Sequence, residues 1–128
     1  MGKQIVSRYK INTLRQQQAL EYALRQIEQS SLFPYISSII LFGSCAREEQ
    51  NFESDVDLFL VLDISKNDFE NIKQDIIYLR GTISPVEATA PEVDVKITIG
   101  NSWETDDSTI YYFIRKDGKL LWKKPEAI

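Results

Sequence analysis

The stretch from Leu41 to Leu62, LFGSCAREEQNFESDVDLFLVL, decides the fold. It opens on the end of an apolar run, Ile39 to Phe42, and passes through Gly43-Ser44. Ten residues later come Asp55-Val56-Asp57, and then a second apolar run. In a strand, side chains two apart share a face and stand roughly 6.5 Å apart. Asp55 and Asp57 are therefore expected to point the same way. Val56, Leu58, Leu60 and Leu62 occupy the other face and are all aliphatic, as a core face requires. Beyond the acids, their own face turns apolar at Phe59 and Val61, so only the first end of this strand is wet.

Two carboxylates on the rim of a buried strand are costly unless a cation lies between them. Gly43-Ser44 falls where the first strand ends and a short helix, Ser44 to about Gln50, is expected to begin. Glycine lets the backbone approach a ligand closely. The serine offers a hydroxyl, and a helix N-terminus offers free amides and the positive end of its dipole. The stretch thus pairs a phosphate cradle with a site for hard divalent cations. A nucleoside triphosphate with magnesium is the ligand that needs both.

Gly43-Ser44, the ten-residue spacer and Asp55-x-Asp57 together resemble the signature of the DNA-polymerase-β-like nucleotidyltransferases, and within them the minimal nucleotidyltransferases. That pattern often reads Gly-Ser-x-Ala-Arg-Gly, a short insert, then Ser-Asp-x-Asp-Leu. Gly43, Ser44, Ala46, Arg47, Ser54, Asp55, Asp57 and Leu58 stand in register with it. Glu48 departs from it, where the family commonly carries glycine. A lone Gly-Ser or Asp-x-Asp means little; the full string between two apolar runs is specific. Near the C-terminus, Ile114-x-x-x-Gly118-x-x-Leu121 also resembles the ending of minimal nucleotidyltransferases.

Composition narrows the chemistry. The 128 residues suit one domain, 1–128, and 43% hydrophobic residues suffice for a core. No apolar run approaches the roughly 20 residues of a membrane span. The polar start, MGKQIVSRYK, has no signal-peptide centre, so a cytoplasmic protein without membrane contact is expected. The absence of histidine excludes Ser-His-Asp and Cys-His catalysis. A single cysteine excludes a structural disulfide and a cysteine-rich zinc site. Oxygen ligands select magnesium, manganese or calcium. A net charge of −4 argues against an extended nucleic-acid surface.

Along the chain, Leu20, Ala23, Leu24 and Ile27 recur at helical spacing, predicting an amphipathic helix within Asn12–Ser30, capped by Thr13 or Asn12. Leu14 falls off its stripe, and Pro34 prevents continuation. Tyr35–Phe42 and Asp55–Asp63 are expected strands. A second helix starts near Ser65–Asp68, with Ser65 or Asn67 as cap, buries Phe69, Ile72, Ile76 and Leu79, and ends at Gly81. The segment from Thr82 to Pro91 is expected to be a loop. Glu92–Gly100 alternates as a half-buried strand with Glu92, Asp94, Lys96 and Thr98 on its polar face. A short helix follows Thr105–Ser108 and ends at Gly118, before a last strand at Leu120–Trp122. Tyr111, Tyr112 and Phe113 are expected in the core and at its rim. Lys116, Lys119, Lys123 and Lys124 are expected on a solvated face. Cys45 reads as a small buried filler. The fold class expected is α+β, the nucleotidyltransferase fold: a small mixed sheet with helices packed on it and the Gly-Ser…Asp-x-Asp string at one end.

The resemblance implies site residues and chemistry. Asp55 and Asp57 are implied as ligands of two magnesium ions, with manganese as the alternative. In the family a third carboxylate comes from a strand like Glu92–Gly100; Asp94 is assigned that role, with Glu92 as the fallback. Gly43, Ser44 and Arg47 are implied on the phosphates, although Arg47 is also placed to pair with Glu48 or Glu49. The reaction implied is transfer of a nucleoside monophosphate, AMP from ATP, to a hydroxyl. The chain after Asp94 is too short to add the helical domain that the family's antibiotic- and polymer-modifying members use for the acceptor. The acceptor surface is therefore expected from a partner or from a second copy in a homo-oligomer. Minimal nucleotidyltransferases resemble the antitoxins that adenylylate a tyrosine of HEPN-domain toxins, which makes a HEPN-type protein the expected partner. The alternatives are a small-molecule transferase of the aminoglycoside type and a degenerate module that binds nucleotide or protein without turnover.

Overall fold

The structure, a computed structural model, describes residues 5–125; residues 1–4 and 126–128 lie outside that range. The chain runs through α1 (Leu14–Gln29), β1 (Ile36–Phe42), β2 (Val56–Leu62), α2 (Phe69–Thr82), β3 (Val93–Ile99), α3 (Thr109–Asp117) and β4 (Lys119–Lys123). Short 3₁₀ turns precede β1, α2 and α3. The four strands form one sheet in the order β3-β2-β1-β4. β1 runs antiparallel to β2 and β4, whereas β2 and β3 are parallel. The mixed sheet and its helices make this an α+β fold, as expected. No helix among the described residues is long and apolar enough to cross a membrane.

Alternation divides the core between the two faces of the sheet. Val56, Leu58, Leu60 and Leu62 of β2 pack with Leu20, Ala23, Leu24 and Ile27 of α1 and with Ile72, Ile76 and Leu79 of α2. Phe59 and Val61 point the other way, into a smaller cluster with Ile40 and Ile114, bordered by Trp103 and Tyr111. Burial of each such side chain contributes about 1.5–3 kcal/mol. The helical stripe of α1 is intact, and Leu14 lies off it, largely exposed. Followed back by three or four residues, the same stripe meets Gln16 and Gln17, both buried. Gln17 accepts from Ile11 N at 2.8 Å and donates to Glu21 Oε2 at 2.9 Å.

Three local expectations are corrected. Ser44–Gln50 is not a helix but a run of turns. The carbonyl of Gly43 accepts from the amides of Ala46 and Arg47, at 3.1 and 3.2 Å, and Ser44 O accepts from Glu49 N at 2.9 Å. Glu48 then takes φ +58°, in the left-handed region, which carries the chain off a helical path after one turn. The second helix passes through Gly81 and ends at Thr82. Neither Ser65 nor Asn67 caps it: the N-cap is Asp68, and Ser65 Oγ donates to its carboxylate at 2.9 Å. At the first helix Thr13 is the N-cap residue, but its hydroxyl bonds Gln16 instead of a backbone amide.

The C-terminal Ile-x-x-x-Gly-x-x-Leu string has a packing cause. Ile114 and Leu121 are buried. A Cβ on Gly118 would overlap the carbonyl of Ile114 and stand 2.8 Å from Ile40 Cγ2. Only glycine lets the chain leave α3 this close to β1.

Candidate active site

Asp57 sits one residue into β2, with a strand on each side. Its partner across β1 is Phe42, and its partner across β3 is Asp94. In a parallel pair, residues in register point to the same face, with the two strands about 4.8 Å apart. Asp55 stands one residue before β2, near enough for its charge to act on Asp57. Asp57 and Asp94 thus share one end of one face, where β1 ends and β2 and β3 begin, and Asp55 lies at the same end of the sheet. Asp55 and Asp94 are exposed, and Asp57 is half-buried.

Electrostatics agree with this placement. Asp57 is held above the ordinary carboxylate range, first by burial, then by the charges of Asp94 and Asp55; Arg47 pulls the other way. Glu92, the fallback for the third acid, lies two residues further out along β3. Its carbonyl accepts from Val56 N at 2.9 Å and so extends the ladder to the edge of the site. Asp94, not Glu92, is the residue in register with Asp57. Among the described residues, no three Asp, Glu or Cys side chains converge on one point as a metal cage would.

Gly43 has φ +74°, and a Cβ there would overlap Oδ2 of Asp57 and lie 3.1 Å from its Cγ. The carboxylate therefore lies directly against the backbone of the glycine, which accounts for that residue at this position. Ser44 is half-buried in the following turn. Cys45 is fully buried and donates its S–H to Asp55 O at 3.4 Å. Burial, then the charge of Asp57, pushes its thiol up to about 11, against a hydrogen bond from Ser44. Such a thiol stays protonated at neutral pH and is inert, as expected of a filler.

Arg47 donates through Nε to Glu49 Oε1 at 2.9 Å. That bond stabilises its charge most, with smaller help from Asp117 and Asp57. Its side chain, with those of Glu48, Glu49, Lys116, Asp117 and Lys119, lines a cavity of about 340 Å³. Glu48, the departure from the family pattern, stands at the positive φ that glycine adopts without strain. Tyr9 donates its hydroxyl to Glu48 Oε1 at 3.4 Å.

Below the acids lies an aromatic floor. Phe59 packs edge-on to Trp103 at 5.1 Å and tilted to Tyr111 at 5.8 Å between ring centroids. Lys96, in register with Phe59, holds its ammonium 5.5 Å from the Tyr111 centroid. The alternation of β3 places Lys96 on the face of Asp94, but nothing in the sequence pairs it with Tyr111. Tyr112 and Phe113 are exposed. A cavity of about 600 Å³ lies elsewhere, between α1 and the segment 85–91, and its lining includes none of the acids.

Comparison with known proteins agrees with this architecture. A family model described as Polymerase beta, Nucleotidyltransferase matches residues 25–127. The crystal structure of a candidate nucleotidyltransferase from Sulfolobus solfataricus superposes with a TM-score of 0.56 at 22% identity, over 86% of this chain and 85% of that one. A crystal structure of a toxin-antitoxin with AMP-PNP matches with a TM-score of 0.43 at 16% identity, over 80% of this chain and 72% of that one. No curated protein matches. The string from Gly43 to Leu58 falls inside the matched region, on the expected fold, and the chain belongs to the polymerase β nucleotidyltransferase family.

Proposed function

We propose that this chain transfers AMP from ATP to a hydroxyl of a protein partner, with Asp55, Asp57 and Asp94 as its catalytic carboxylates. The observation that carries the reading is the register of β2 and β3, which sets Asp94 beside Asp57, next to Asp55 at the start of β2. The donors fit a pair of magnesium ions, or manganese, by their chemistry. They are all carboxylate oxygens, and bound cations would offset both the burial and the mutual repulsion that raise Asp57. When bound, the ions would neutralise the phosphates and the attacking oxygen.

The residues of the chain supply the rest. Gly43 and Ser44, with the amides of their turn, bind the β- and γ-phosphates that leave as pyrophosphate. Arg47 exchanges its bond to Glu49 for a phosphate oxygen. Asp94, exposed at the rim, takes the proton of the incoming hydroxyl. Attack on the α-phosphorus then requires mainly alignment and charge neutralisation.

The acceptor reading is a tyrosine of a HEPN-type toxin, which makes this chain the antitoxin. Two things support it: the sequence resemblance to minimal nucleotidyltransferases, and the position of the acids on an open rim, which a side chain projecting from a folded protein can reach. The test incubates the protein with its cognate partner, ATP and magnesium, and weighs the partner by intact-mass spectrometry. The expected result is one or more increments of AMP on the partner, and none with Asp55→Asn. An unmodified partner, with AMP transferred to an aminoglycoside instead, would replace this acceptor by the small-molecule one. Full activity in Asp94→Asn with none in Glu92→Gln would move the third acid to Glu92.

A further inference from the structure

Asp55 is exposed, and its charge acts on the neighbouring Asp57. What places it is its backbone. Asp55 is joined to β2 on one side and to the turn 51–54 on the other, and that turn is anchored from α1. Gln16, 1% exposed, donates through Nε2 to three of its carbonyls: Asn51 O at 3.1 Å, Phe52 O at 3.2 Å and Ser54 O at 3.2 Å. Its Oε1 accepts from Thr13 Oγ1 at 2.7 Å, which settles the orientation of the amide. Arg15 adds a bond from Nε to Phe52 O at 2.9 Å and lies 4.2 Å over the Phe52 ring. The turn also bonds itself, through Asn51 N to Ser54 Oγ and Glu53 N to Asn51 Oδ1, both at 2.9 Å.

A glutamine on the apolar stripe of a helix costs stability unless its amide is bonded. Here the two N–H groups of one amide are shared among three carbonyls; Asn51 O also accepts from Ser54 N at 3.2 Å and Phe52 O from Arg15 Nε at 2.9 Å, so Ser54 O depends most on Gln16. An aliphatic residue would fill the volume but would leave Arg15 as the turn's remaining anchor from α1. A glutamate would set an acceptor against three carbonyl oxygens. The residue type is therefore explained by the turn it holds, and that turn ends at Asp55.

We propose that Gln16 is a positioning residue: it holds the turn 51–54 so that Asp55 stays beside Asp57 against the repulsion of the acids. This rests on the reading of Asp55 as a cation ligand. Loss of an outer partner that orients a ligand typically weakens metal binding about 10- to 100-fold.

The test compares wild type, Gln16→Met and Thr13→Val. Gln16→Met keeps the volume and removes the donor. Thr13→Val, at a half-buried position, removes the bond that orients the amide, together with the one that Thr13 Oγ1 accepts from Gln50 Nε2 at 3.2 Å, and leaves the Gln16 donor in place. Manganese alone is titrated by electron paramagnetic resonance, and amide exchange is followed by mass spectrometry. Gln16→Met is expected to raise the manganese dissociation constant about 10-fold. Its exchange should quicken in residues 51–57 while the strands β1 and β4 keep wild-type protection. Thr13→Val should move both readouts the same way by less, and it carries the test if Gln16→Met does not fold. Unchanged manganese affinity in the variants, or exchange that quickens uniformly along the chain as for a purely structural role, overturns the proposal. Wild type that binds no manganese removes the carboxylate reading and the positioning role together. Wild type that binds while the variants bind equally well removes the positioning role alone.

Discussion

Alanine at Gly43 tests whether the glycine is there for the Asp57 carboxylate. The substitution meets two separate obstacles. At φ +74° an alanine carries a left-handed cost of about 1–2 kcal/mol. Its Cβ also overlaps the Asp57 carboxylate, and overpacking of this kind costs about 1–3 kcal/mol. The sum, about 2–5 kcal/mol, corresponds to a fall in Tm of about 8–20 °C for a domain of this size. The two parts separate in a double-mutant cycle. In an Asp57→Ala background the only remaining Asp57 contact is its Cβ at 3.4 Å, an ordinary distance, so Gly43→Ala should then cost only its backbone part. Urea melts of the four proteins should yield a coupling of about 1–3 kcal/mol. Transfer by Gly43→Ala should fall at least about 100-fold, because the displaced carboxylate leaves the row it shares with Asp94. Equal costs of Gly43→Ala in the two backgrounds would refute the contact as the reason for the glycine.

Two further outcomes follow from the charge and backbone of the same site. Asp57 is raised in the folded state, so above its unfolded value of 3.8 the native chain holds the proton more tightly than the unfolded chain, and stability falls as pH rises through its folded value. Asp57→Asn should therefore melt higher than wild type at pH 7 without metal, with the gap closing as pH drops below 3.8; a lower melting temperature at pH 7 contradicts the sign. Glu48→Gly relieves a left-handed residue at φ +58° and should stabilise the fold by about 0.5–1.5 kcal/mol in urea melts, after the flexibility glycine adds to the unfolded chain; a loss of stability would mean that the bond from Tyr9 outweighs the strain.

Residues 41–62 and 92–100 determined much of this protein by themselves. A period of two is a local property, so Asp55 and Asp57 share a face and Val56, Leu58, Leu60 and Leu62 share the other in any strand that this stretch forms. The same holds for Asp94 and Lys96 in β3. The Gly-Ser…Asp-x-Asp string was enough to name the family and the α+β fold. Tertiary structure alone decided which neighbour each strand took and in what register. Alternation put Asp94 on a polar face, but only the parallel pairing of β2 and β3 set it beside Asp57 instead of Glu92. The turn after Gly43 reads as a helix in the sequence because its residues permit one, whereas in the fold Glu48 takes a left-handed φ. Arg47 had two acidic neighbours in sequence, and side-chain geometry selected Glu49. Gln16 lies one turn back along the stripe of α1; a polar residue on an apolar stripe implies a buried bond, but not its partner. That partner lies 35 or more residues along the chain, at Asn51, Phe52 and Ser54. Backbone periodicity is written in neighbours along the chain, whereas register, contact and charge environment are set by segments that meet only when it folds.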